Sequence, residues 1–377
     1  MWMLRQFGCL LLLVLALGPA RAQELFAPMR EEVLMLRKPA LFPVELETTY
    51  FRPPGNGPFP LVILNHGKSV GESRMQPRWR PLAVVREWVS RGYAVALPMR
   101  QGFSKSGGSY VGGGCNVQSN GLAQAEDVQA VLAALAQRPE VDATRVVLVG
   151  QSHCGLTTLA AGSLGLPGVV GLVNFAGGLR QEQCPNWEAA LATAFGSYAR
   201  TTRVPALFFY GDNDSFWSVP VWREMVRQYA ESDGRARLVA FGSFGSDAHH
   251  LFGPRSGVRV WLPEVERFFR ELGLPFDKQR EIALIEHDAA VPADTGFAAL
   301  ADTSALPGVR PAAREGYAGF LAAEPPKAFA IGPNGAWAWR SGVADAMKQA
   351  LQRCTSHANG AACRLYAVDD RVVWARD

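Results

Sequence analysis

From Pro60 to Gly273 the sequence alternates continuous apolar runs with longer segments of helical spacing, and few folds accept that alternation. The apolar runs include "PLVILNHG", "YAVALP", "RVVLVG", "GVVGLVNFAGG" and "VPALFFYGD". They are apolar at nearly every position rather than at every second one, as expected of strands buried on both faces. Between them lie segments such as "PRWRPLAVVREWVSRG" and "NGLAQAEDVQAVLAALAQRP", which have the length and spacing of helices. Strands joined through helices make right-handed crossovers and pair in parallel. The pattern therefore predicts an α/β fold with a mostly parallel central sheet and helices on both faces. "LFPVELETTYFRP" reads as an antiparallel opening hairpin or edge ahead of it.

The pattern stops near Gly273. The next fifty or so residues are rich in Pro and Ala, with weaker periodicity. "KAFAIGPNGAWAWRSG" then reads as a hairpin turning at Pro-Asn-Gly. "ADAMKQALQRC" reads as a helix, and "CRLYAVDDRVVWA" as a last hairpin around Asp369 and Asp370. A small α+β module is expected here. The reading divides the chain into 1–22, a signal peptide; 23–273, the α/β domain; and 274–377, a connector and the module.

The signal peptide is read from Arg5, the apolar run "GCLLLLVLALG" and the small residues of "ARA" ending at Ala22. That run is too short to span a bilayer, and Cys9 precedes it rather than ending it, so neither a retained anchor nor a lipidated cysteine is expected. A periplasmic or secreted protein with no stable membrane insertion follows, in a compartment where disulfides persist. Five cysteines remain beyond Cys9. Cys354 and Cys363 close the polar loop "CTSHANGAAC", and Cys115 and Cys184, both in loops after strand-like runs, form the second expected pair. Cys154 is left over. No Cys-x-x-Cys and no tight His/Cys cluster occurs, so no metal is expected. The net charge of +4 over 377 residues, without a Lys/Arg block, gives no reason to expect nucleic acid as a partner.

The chemistry centres on "GQSHCG", residues 150–155, directly after "RVVLV". It matches the nucleophile elbow Gly-x-Ser-x-Gly except that Cys154 stands where the last glycine belongs. A serine hydroxyl needs an imidazole to take its proton and a third group to orient that imidazole. In an elbow protein these follow in the order Ser, acid, His, each after a strand. After "ALFFYG" come Asp212 and Asp214, and after "LVAFGSFGSDA" come His249 and His250. A side chain wider than glycine at 154 predicts a strained turn.

With "NHG" at 65–67, "GFSKSGG" at 102–108, "VDATRVVLVGQS" at 141–152, "YGDND" at 210–214 and "GSDAHHLF" at 245–252, the chain resembles the α/β-hydrolase superfamily over about residues 40–273, most closely its dienelactone-hydrolase-like branch. The resemblance implies the α/β-hydrolase fold. It implies Ser152 as nucleophile, Asp214 as the acid with Asp212 as rival, and His249 as the base with His250 as rival. It places the oxyanion hole on the backbone N–H of His153 and that of Gly67 or Lys68. His66 then props that loop. Dienelactone hydrolases use a cysteine nucleophile, but at the position of Ser152; Cys154 falls two residues on and reads as packing.

The expected function is a secreted serine hydrolase acting on a small-molecule carboxylic ester or related acyl compound, with no metal or organic cofactor. A peptidase of the same fold, and a catalytically inactive binding or envelope protein, are the alternatives. "FSKSGGSYVGGGCN" and the loop from Arg180 to Asn186 are expected to rim the pocket, tied together if Cys115 and Cys184 are bonded.

Overall fold

A computed structural model describes residues 25–375 apart from 70, 113, 283, 286, 287, 310 and 324. The signal-peptide reading of 1–22 and Cys9 lie outside the described residues. The chain opens with β1 (Glu32–Lys38), β2 (Val44–Phe51) and β3 (Phe59–Asn65). Then α1 (Leu82–Val89), β4 (Ala94–Pro98), α2 (Val117–Leu135), β5 (Val141–Gln151), α3 (His153–Ser163), β6 (Val169–Phe175), α4 (Trp187–Ala199), β7 (Ala206–Tyr210), α5 (Val219–Glu231), β8 (Ala236–Ala240) and α6 (Arg255–Glu271) alternate. The eight strands form one sheet in the order β1-β2-β4-β3-β5-β6-β7-β8. β1 and β2 are antiparallel, β2 is antiparallel to β4, and every later pairing is parallel.

The continuous apolar runs have the predicted cause. Along β3 and β5, Leu61, Ile63, Val146 and Leu148 pack on one face with α2 to α5. Val62, Leu64, Val147 and Val149 pack on the other with α1 and α6. Alternate residues thus enter different cores, and neither face meets water. The opening segment differs in extent from its sequence reading. Residues 44–51 are only the second strand of a hairpin, and "EVLMLRK" supplies the first. β1 alternates half-buried and exposed residues because it is the edge strand.

Beyond α6 come α7 (Pro311–Ala322), β9 (Lys327–Ile331), β10 (Trp337–Ser341), α8 (Ala346–His357), β11 (Arg364–Val368) and β12 (Arg371–Val372). The four strands form a separate antiparallel sheet in the order β10-β9-β11-β12. α7 lies in the Pro/Ala-rich stretch read as a connector. It buries Tyr317 and Phe320 against Phe329 and Tyr366. Cys354 on α8 is bonded to Cys363 just before β11. Among the described residues no helix is long and apolar enough to cross a membrane.

Candidate active site

Ser152 stands between the end of β5 and the start of α3, with φ 57° and ψ −129°. A side chain at positive φ is strained, and such strain gathers at functional turns. Three backbone bonds hold the turn. Ser152 N–H donates to Phe175 O at 2.9 Å, and Gly155 N–H and Gly178 N–H donate to Ser152 O at 2.8 and 3.1 Å. Gly150 is needed for the crossing: a Cβ there would overlap Cys154 O and Thr158 Oγ1. On the helix side the close approach falls on Gly155, where a Cβ would overlap Asn174 Oδ1 and the Cα of Gly177. The expected crowding at 154 is therefore relocated by one residue. Cys154 points into packed interior and is fully buried.

The triad candidates meet across three loops. His249 Nε2 lies 2.9 Å from Ser152 Oγ. His249 Nδ1 lies 3.1 Å from each Asp214 oxygen. The Asp214 side chain is 0% exposed and that of His249 4%. Asp214 Oδ1 also accepts from Phe216 N–H at 2.8 Å and Trp217 N–H at 3.0 Å, which fixes the carboxylate. The rivals lie elsewhere. The His250 side chain is 72% exposed, 3.8 Å from Asp247, and Asp212 is exposed.

Two further groups join this network, one from each of the segments 141–152 and 245–252. Asp247 accepts from His249 N–H at 2.9 Å, Ser215 N–H at 3.1 Å and Ser215 Oγ at 2.7 Å, so it fastens the acid loop to the base loop. Gln151 Nε2 donates to His249 O at 3.2 Å, tying the base loop to the strand that carries the serine. Asp247 sits inside "GSDAHH", and its place two residues before the base was the one available signal.

The oxyanion candidates border the same cavity. His153 is the first residue of α3, where N–H groups have no acceptor within the helix. Its ring is buried, 3.1 Å from Tyr110 Oη and 2.8 Å from Gln124 Nε2. Burial, and then the charge of Arg100, hold it well below the usual histidine range, so it stays a neutral prop. Gly67 packs against Ser152: a Cβ on it would lie 3.3 Å from Ser152 Cβ. Lys68 follows it, its ammonium donating to Ser69 O and Gly71 O.

A cavity of about 950 Å³ opens over Ser152, walled by Trp79, Tyr110, Leu179, Phe216 and Trp217. Its ionisable wall residues beyond the histidines and Tyr110 are Lys68, Arg78, Arg80, Arg180 and Asp247. Arg78 and Arg80 both bind the buried Glu31, Arg78 at 2.7 Å. Among the described residues no cluster of His, Cys, Asp or Glu could hold a metal.

Cys115 and Cys184 are bonded, and Gln181 Nε2 donates to Gly112 O at 2.9 Å and Gly114 O at 3.0 Å beside the bridge. The two loops form one wall of the cavity. Replacing both cysteines by serine should destabilise the protein by about 2–4 kcal/mol, because the bridge ties segments 69 residues apart. Urea unfolding checks this. Among the described residues Cys154 is the free cysteine, and burial pushes its thiol up to about 11. A buried thiol with that shift is held in its unreactive protonated form. N-ethylmaleimide should leave the folded protein unmodified at Cys154 and fully active, by intact mass and assay, with labelling there only after denaturation.

Residues 43–201 match the family described as X-Pro dipeptidyl-peptidase (S15 family). No curated protein sequence is significantly similar to the chain. Among solved structures, an acylaminoacyl peptidase from Pyrococcus horikoshii is similar with a TM-score of 0.50 at 15% identity, over 68% of this chain and 43% of that one. Dipeptidyl peptidase 4 from Porphyromonas gingivalis has a TM-score of 0.49 at 16% identity, over 64% and 35%. An esterase from Pyrococcus furiosus has a TM-score of 0.48 at 17% identity, over 68% and 97%. The chain thus spans less than half the length of the two peptidases. With the strand order, the family match and the acylaminoacyl peptidase likeness, the fold is the α/β-hydrolase fold, followed by a separate small α+β module.

Proposed function

We propose that the protein is an exported serine hydrolase that cleaves a carboxylic ester or related small acyl compound. The observation that carries this reading is the relay from Ser152 Oγ to His249 Nε2 at 2.9 Å and from His249 Nδ1 to Asp214 at 3.1 Å. In the proposed reaction Ser152 Oγ bonds to the substrate carbonyl carbon as its proton passes to His249 Nε2. The carbonyl electron pair moves onto oxygen, where the N–H groups of His153 and of Gly67 or Lys68 receive it. His249 returns the proton to the leaving group, and water then releases the acyl chain from Ser152 by the same path. Asp214 keeps the imidazole oriented and stabilises its charged form. The 274–377 module is proposed to bind or cover, with no chemistry of its own.

The match to the dipeptidyl-peptidase family favours a second reading, in which the acyl group is peptidic. An enzyme that reads a free amino terminus needs a carboxylate to receive the ammonium. Among the described wall residues beyond the triad, the carboxylate is Asp247, which already accepts from Ser215 and His249, and the other charged groups are Lys and Arg. That balance favours the ester. A fluorophosphonate probe on the purified protein should label the wild type and not Ser152→Ala. p-Nitrophenyl esters should turn over far faster than Xaa-Pro-p-nitroanilide. A folded wild type that takes no label would rule out the hydrolase in favour of a binding protein.

A further inference from the structure

We propose that Arg100 is the positioning residue of the oxyanion hole, and that its buried charge finds a counter-charge only when the oxyanion forms. The inference rests on the serine-hydrolase reading above. Arg100 follows β4 and is 1% exposed. Its Nη2 donates to His66 O at 3.4 Å. Its backbone N–H donates to His66 Nε2 at 3.3 Å. The His66 proton is therefore on Nδ1, which donates to Gly67 O at 2.7 Å.

These bonds grip the two peptide units in question. In a planar trans peptide, C=O and N–H point to opposite sides. The unit that ends in His66 C=O carries the Gly67 N–H, and the unit that ends in Gly67 C=O carries the Lys68 N–H. Holding the first carbonyl on the guanidinium and the second on the His66 ring turns both N–H groups the other way. The loop lies against the nucleophile turn: a Cβ on Gly67 would meet Gln151 Oε1 at 2.8 Å, Ser152 Cβ at 3.3 Å and Gln151 O at 3.4 Å. A cation on a carbonyl also polarises the N–H at the far end of its peptide. The clamp does not titrate in the working range: burial, and then the charge of Arg100, hold His66 down at about 3.

The second observation is the unspent part of the guanidinium. Arg100 Nε and Nη1 are buried with no hydrogen-bond partner. The guanidinium also lies over the Phe103 ring, 4.8 Å from its centroid. Among the described residues no carboxylate forms an ion pair with it. A buried cation without a counter-ion is costly, and its field is weakly screened. That field reaches His66, Tyr110, His153 and Cys154, the last two being the residues that follow the nucleophile in the first turn of α3. A negative charge that exists only in the tetrahedral intermediate would gain from it while the neutral substrate would not, which is the condition for catalysis rather than tighter binding.

The test compares wild type, Arg100→Met and Arg100→Lys in the full chain, with p-nitrophenyl acetate and with a trifluoromethyl ketone whose serine adduct is an oxyanion. Arg100→Met should lower kcat by about 100-fold with KM within about threefold. The ketone's Ki should rise by a similar factor. Arg100→Lys, with the charge but not the fork, should lose about tenfold in kcat. Both variants should still take the fluorophosphonate at Ser152 to completion. A folded Arg100→Met with wild-type kcat, or a loss confined to KM, would overturn the proposal. If the Met variant does not fold, wild-type kcat in Arg100→Lys overturns it; failure of both to fold would make Arg100 structural and overturn it as well. An unlabelled, inactive wild type would instead sink the hydrolase reading, a result distinct from an active wild type indifferent to Arg100.

Discussion

Replacing His249 with alanine should lower kcat/KM for p-nitrophenyl acetate by about 10⁴-fold, whereas His250→Ala should stay within about twofold. The two histidines are neighbours in sequence and differ in everything the reaction needs. His249 is buried between Ser152 Oγ and Asp214, and its backbone N–H is held by Asp247. His250 is turned to solvent, its side chain 72% exposed and its Nε2 3.8 Å from Asp247. In the proposed reaction, loss of His249 leaves Ser152 with no group to take its proton and the leaving group with no acid. Asp214→Asn should cost about as much, because an amide in that place favours the wrong imidazole tautomer. Circular dichroism of each variant separates a dead site from an unfolded chain. A His250→Ala protein as inactive as His249→Ala would contradict the assignment.

The second large effect is on stability. Gly155→Ala should destabilise the protein by about 3 kcal/mol or more, while Cys154→Ala should cost about 1 kcal/mol or less. At 155 an added methyl would overlap both Asn174 Oδ1 and the backbone of Gly177, and neither can retreat. Asn174 lies on β6 with its amide held by Tyr210 Oη, and Gly177 O accepts from the same hydroxyl. At 154 the side chain already fits, and only part of its packing is lost. Urea unfolding of the two variants orders them directly. The comparison also bears on turnover. If the glycine at 155 takes the close contact, Cys154→Gly should not raise kcat, because no crowding at 154 is there to relieve.

This second case marks where the sequence could and could not be read. Residues 150 to 152 and the strand before them were legible because a buried parallel strand writes itself as an unbroken apolar run. That Ser152, Asp214 and His249 come together was legible because each follows a strand of the same mostly parallel sheet. Position 154 looked like the critical glycine because the motif counts residues, but the overlap is set by where β6 and the segment after it pass α3. No local pattern carries that. Arg100 and Gln151 were unreadable for the same reason: their partners lie at 66 and 249, and only the closed sheet brings them together. The helix α7 was missed because Ala, Gly and Pro dominate its stretch. It is stabilised by Ala313, Tyr317 and Phe320, buried at helical spacing on the face that meets the second sheet.

The central claim is that Ser152 carries the acyl group. Rapid acid quench of the protein with a p-nitrophenyl ester, followed by peptide mapping, tests it most directly. The predicted result is a burst of nitrophenol with the acyl group on Ser152 within the peptide "GQSHCG". The acyl group on Cys154, or ester turnover that persists in Ser152→Ala, would contradict it.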